Sequence, residues 1–118
     1  MKSKKNTINY DKEKAIYYES LISKLNDKSL KEKILNVLPN VQKVLFDKEE
    51  SLKEFINAKP EDMWQYHFGL GIYLRDNYLK PDSEIYIQFI ENGVKHIDDM
   101  SSVMVILFQR ELLQNERQ

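Results

Sequence analysis

The chain has 118 residues, 42% apolar and 31% charged, enough for one modest core. It has no cysteine, which excludes disulfides, thiolate metal sites and a cysteine nucleophile. No apolar run approaches the roughly 18–20 residues of a membrane span, and the basic start M-K-S-K-K-N-T lacks the apolar stretch of a secretory signal, so a cytoplasmic location is expected.

The net charge of −1 conceals an asymmetry. Residues 1–59 carry 13 Lys and nine acids, while residues 60–118 carry five Lys or Arg and ten acids. Lys interleaved with Glu in the first half reads as solvated helix faces, so direct nucleic-acid binding is not expected. The acidic second half suits a basic protein partner.

In chain order, residues 1–8 are polar and expected to be flexible, and residues 9–118 read as a single helical domain. Tyr18, Leu21, Ile22 and Leu25 recur at helical spacing, predicting a helix from Tyr10 to Leu25. Ser29 and Glu32 form the pattern of a capping box for a short helix with Leu30, Ile34, Val37 and Leu38 inside, stopped by Pro39. After Val41, Val44 and Leu45, a helix restarts at Asp47 with Leu52, Phe55 and Ile56 inward.

Residues 60–78 then read as one central helix. Pro60 suits its first position, and Glu61 and Asp62 its positive end. Its apolar residues, from Met63 and Trp64 through Phe68, Leu70 and Ile72 to Tyr78, cover nearly every face, which predicts the most buried helix of the fold. Gly69 and Gly71 each cost about 1 kcal/mol against Ala there, so a close approach by another helix or a ligand is expected. His67, Gly71 and Arg75 share one row.

Lys80-Pro81-Asp82-Ser83 is a turn, with Asp82 or Ser83 capping a helix that holds Ile85, Phe89 and Ile90 and stops at Asn92-Gly93. Asp98 is expected to cap a long last helix through Val103–Phe108. No strand-turn-strand pattern occurs. The fold class is all-α: a compact bundle of about five to seven helices around a buried central helix at 60–78.

Chemically useful groups fall in two places: His67, Arg75, Asp76 and Asn77 on the central helix, and His96, Asp98 and Asp99 at the start of the last. Neither an H-E-x-x-H pair nor paired E-x-x-H motifs occur, so no metal is expected, and no Gly-rich phosphate loop or cofactor motif is present. Of these, His67, Arg75, His96, Asp98 and Asp99 read as structural polar groups, with Arg75 pairing with Asp98 or Asp99 across the bundle, rather than as catalytic ones. The alternative is a small enzyme or ligand-binding domain using His67, Arg75, His96 and Asp98.

H-F-G-L-G-I-Y-L-R-D-N-Y at 67–78 and G-V-K-H-I-D-D-M-S-S-V at 93–103 resemble a bacterial domain family of unknown function. That family carries an H-F-G-L-G-x-x-[IL]-R-N-N-W core and a later H-P-D-D-M-S segment. Here Asp76 replaces the first Asn, Lys80-Pro81 replaces G-L-W, and Ile97 replaces the Pro. Some members resemble immunity proteins of contact-dependent or polymorphic toxin systems. The resemblance implies a non-enzymatic protein that binds and neutralises one cognate toxin C-terminal domain, 1:1, in the cytoplasm. A basic nuclease domain would suit the acidic half, with Asp76, Tyr78, Asp82, Glu84 and Glu91 as partner-binding residues.

Overall fold

A computed structural model describes the backbone of residues 2–116 and the side chains of residues 12–116. Six α-helices and one 3-10 turn follow in order: α1 Lys2–Lys24, α2 Lys28–Leu45, α3 Glu49–Asn57, the turn Pro60–Asp62, α4 Trp64–Tyr78, α5 Glu84–Glu91 and α6 Ile97–Glu116. No strand occurs among the described residues, so the all-α class holds. The flexible stretch expected at 1–8 concerns residues whose side chains lie outside that description.

α2 differs from its reading at both ends. Its N-cap is Asp27, whose carboxylate accepts the Leu30 N–H at 3.1 Å, so the Ser29–Glu32 capping box does not form. Ser29 Oγ instead accepts from the Gln88 amide on α5. The helix also runs through Pro39 to Leu45. Pro39 is exposed, and the stripe of Leu30, Ile34, Leu38 and Val41 on the opposite side is buried. Continuing that stripe into the core outweighs one lost backbone hydrogen bond on the wet face.

Asp27 also anchors α5. It accepts from Asn92 Nδ2 at 3.0 Å and from Gln88 Nε2 at 3.4 Å, while Lys33 donates to Gln88 Oε1 at 2.6 Å. Those hydrogen bonds hold the Asp27 carboxyl below the usual range, chiefly the one from Asn92. Of the two expected caps of α5, Asp82 and Ser83, it is Ser83 that serves, accepting from the Tyr86 N–H. Gly93, at φ +86°, ends it: the Gly93 N–H reaches the Ile90 carbonyl and the Val94 N–H the Phe89 carbonyl, each satisfying a terminal oxygen.

The expectation of one long, most-buried helix at 60–78 is corrected twice. Pro60–Asp62 is a separate 3-10 turn, with Met63 joining it to α4. Within α4 only Leu70, Gly71 and Leu74 are buried, whereas Trp64, Phe68 and Ile72 are exposed. The most buried helix is α6, where Asp99 to Val105, Phe108 and Leu112 are all covered. It touches α1, α2, α3, α4 and α5, so every turn of its apolar run finds a neighbour. Gln109 on α6 donates to the Phe55 and Ala58 carbonyls at 2.9 and 2.8 Å, capping the end of α3. Asp98 lies within the first turn of α6 and faces Arg75 rather than capping the helix.

Candidate functional site

α1 and α4 diverge above α6 and leave an open groove of about 940 Å³. One wall is Glu13, Lys14, Tyr17 and Tyr18 of α1; the other is Trp64, His67, Phe68 and Arg75 of α4. Asp98, Asp99, Ser101 and Ser102 of α6 make the floor, and His96 sits at its lip. The groove therefore gathers all five residues that the sequence singled out as structural polar groups: His67, Arg75, His96, Asp98 and Asp99.

The row on α4 sets the geometry. At Gly71 a Cβ would meet Ser101 Oγ at 3.4 Å, so this glycine lets α4 lie close to α6, as its cost in a helix suggested. His67, one turn earlier, tucks its ring against Tyr18, with centroids 5.1 Å apart. Its Nδ1 is buried without a hydrogen-bond partner among the described residues. Burial pushes its pKa down to about 4, so the imidazole is neutral at pH 7. Arg75, one turn later, forms the expected ion pair with Asp98. The Arg75 side chain is 25% exposed and the Asp98 side chain 76%, so the pair is largely covered at the arginine and open to solvent at the carboxylate.

Asp99 is buried and accepts a 2.7 Å hydrogen bond from the Tyr17 hydroxyl. That bond to the carboxylate raises the Tyr17 pKa, with burial adding to it, so the phenol stays protonated and keeps donating. Arg110 of α6 pairs with Glu19 of α1. Ion pairs thus join α6 to both walls, and the aromatic side chains lie between them. Among the described residues no hydrogen bond joins His67 or His96 to Asp98 or Asp99, and no three His, Asp or Glu stand close enough to hold a metal ion. The groove presents flat aromatic faces, a neutral imidazole and tethered charges.

The residues expected to bind a partner lie outside the groove. Asp76, at the end of α4, and Asp82 and Glu91, around α5, are exposed and take part in no ion pair among the described residues. Tyr78 is partly covered, its hydroxyl accepting from Asn40 Nδ2 at 2.7 Å, and Glu84 pairs with Lys33 at 3.3 Å. Both border a shallow cleft of about 320 Å³. Three of the five are thus exposed acids outside any ion pair among the described residues, and two are engaged within the fold.

Sequence reasoning missed the α1 wall. Tyr17 meets Asp99 across 82 residues, and nothing local marks it beyond the paired tyrosines Tyr17-Tyr18. Trp64 and Phe68 were placed in the core; an aromatic ridge at i, i+4 spacing opposite the Leu70–Leu74 stripe was the available signal.

Among the described residues no helix is long and apolar enough to cross a membrane. No curated protein and no solved structure matches the chain. A family model for a domain of unknown function matches residues 42–112, from within α2 to near the end of α6. The match includes His67, Arg75, His96, Asp98 and Asp99 but leaves out α1, so one wall of the groove lies outside it. With more than half of its length matched, the chain belongs to the DUF6794 family of domains of unknown function.

Proposed function

We propose that this protein acts by binding, as a cytoplasmic immunity protein that captures and neutralises a cognate toxin domain of basic character, such as a nuclease, in a 1:1 complex. The observation that carries the reading is the set of exposed acids Asp76, Asp82 and Glu91 at the end of α4 and around α5, which no ion pair among the described residues neutralises. Such a surface attracts a cationic cleft and speeds its capture, and it costs little to desolvate at its rim. The resemblance at 67–78 and 93–103 supports the same class of role.

The test is co-expression with the neighbouring toxin domain, scored for growth, with association rates measured on the purified pair at two salt concentrations. Protection that fades for Asp82→Lys combined with Glu91→Lys, an on-rate that falls with salt, and an unchanged melting temperature are the expected results. Unaltered protection and a salt-independent on-rate remove the acidic surface. Absence of binding by the parent protein removes the immunity role.

A second reading is favoured by the unpartnered Nδ1 of His67 and the size of the groove: a small ligand lodged between α1 and α4. Ligand-induced quenching of Trp64 fluorescence in a metabolite screen, lost in Tyr17→Ala, would establish it.

A further inference from the structure

The charges that line the groove between α1 and α4 do not balance. Among the described residues its acids are Glu13, Glu19, Asp98 and Asp99, and its cations are Lys14, Arg75 and Arg110. Arg75 holds Asp98 and Arg110 holds Glu19, while Lys14 lies over the Tyr17 and Tyr18 rings, 5.5 and 5.9 Å from their centroids. His67 is neutral at pH 7 and adds no positive charge. Glu13 is exposed on the rim. Asp99 is on the floor, 8% exposed, and in no ion pair among the described residues.

A buried carboxylate without a cation is costly unless other groups satisfy it. Two features hold Asp99 in place. The Tyr17 hydroxyl donates to its Oδ2 at 2.7 Å, and its place in the first turn of α6 sets it at the positive end of the helix dipole. The other oxygen, Oδ1, accepts no hydrogen bond among the described residues. One turn on, Ser102 is 3% exposed, lines the same groove and also has no hydrogen-bond partner among them. Of the described side chains, only His67 Nδ1 is both sealed from solvent and unpartnered, so Asp99 Oδ1 and Ser102 Oγ keep access to the groove. A carboxylate oxygen and a hydroxyl at i, i+3 are thus two open acceptors on one helix face, about 5–6 Å apart at their Cβ atoms.

We propose that this floor binds a primary ammonium group carried on an apolar body, an inference that rests on the reading of the groove as a small-ligand site and names its ligand class. One N–H donates to Asp99 Oδ1 and a second to Ser102 Oγ, the first strengthened by charge. The body lies along the aromatic walls, with Tyr17 and Tyr18 on one side and Trp64 on the other, where ring faces attract the cation further. A guanidinium fits less well, because its two-pronged bonding needs both carboxylate oxygens and Tyr17 holds Oδ2. An anion meets Asp99 while the cations of the groove are already engaged.

The test is titration of the full chain with 2-phenylethylamine, its neutral isostere 2-phenylethanol and the anion 3-phenylpropionate. Binding is followed by calorimetry and by the fluorescence of Trp64, the single tryptophan. The amine saturates with a Kd of about 1 mM or tighter, and the alcohol and the anion bind at least about tenfold more weakly. Asp99→Asn keeps the shape and removes the charge; it weakens the amine by about tenfold and leaves the alcohol unchanged. Ser102→Ala weakens the amine less and holds its melting temperature, so the site is tested even where Asp99→Asn fails to fold. Equal binding of amine and alcohol by the parent overturns the ammonium class and leaves the groove a ligand site. A folded Asp99→Asn protein that binds the amine like the parent overturns the class as well. Binding of none of the three probes removes both the class and the small-ligand reading.

Discussion

α4 and α6 are written in nearly the same alphabet and meet opposite fates. Each is apolar on most of its circumference, yet α6 is enclosed over most of its length while α4 shows a ridge of large apolar side chains to solvent. The difference is in their neighbours. α6 is contacted by five other helices, whereas α4 packs mainly on α6. Apolarity on every face therefore states what a helix can bury, and the number of elements placed around it states what it does bury. A helix whose apolar capacity exceeds its neighbours keeps an unused face, and such faces are where partners bind.

Matched truncations break this comparison most sharply. Phe108→Ala in α6 removes a fully buried ring and should cost about 3–5 kcal/mol in urea unfolding, whereas Phe68→Ala in α4 should fall within about 0.5 kcal/mol. Equal losses would mean that α4 is as enclosed as α6.

His67, where α4 meets α1, gives the next largest effect. Its folded pKa of about 4 lies below the ordinary 6.5, so the unfolded chain binds the proton more readily. Its contribution is intact above about pH 6.5 and is lost progressively as pH falls towards 4. Between pH 8 and pH 5 unfolding free energy should drop by about 2 kcal/mol on this account, less whatever residual solvent screens. His67→Gln should flatten that interval in a pH series of denaturation curves. An unchanged slope would show that the imidazole titrates normally.

The two glycines separate the faces of α4 at smaller cost. Gly69→Ala enters open space and should stabilise the fold by up to about 1 kcal/mol. Gly71→Ala should gain less, because its methyl must lie against Ser101 Oγ, a hydroxyl already held by the Asp98 carbonyl at 3.0 Å. A larger gain at position 71 would reverse the assignment of faces. The smallest effect belongs to Arg75→Ala. A buried pair would make it cost about 3–5 kcal/mol, but with Asp98 in solvent the loss should stay below about 1 kcal/mol and shrink with salt.

The sequence by itself determined the helical class, the positions of most helices, a cap at Asp82 or Ser83, the Gly93 stop and the pairing of Arg75 with one of Asp98 and Asp99. Each rests on information close in the chain: a 3.6-residue period, a capping hydroxyl, a residue free to take positive φ, a cation lacking a partner on an apolar helix. The tertiary structure decided the rest. Pro39 stayed inside α2 because Val41 belongs with Leu30, Ile34 and Leu38 in one core, a gain that local rules do not weigh. Asp27 outcompeted Ser29 as cap because α5, more than 60 residues away, brings Asn92 to the same carboxylate. His67, Arg75, His96, Asp98 and Asp99 could be named as chemically interesting from spacing and residue type. That they line one groove depends on α1 folding back to supply Tyr17 and Tyr18. Periodicity fixes which residues share a face, but which face is covered depends on elements distant in the chain, and that is settled only when all of them pack together.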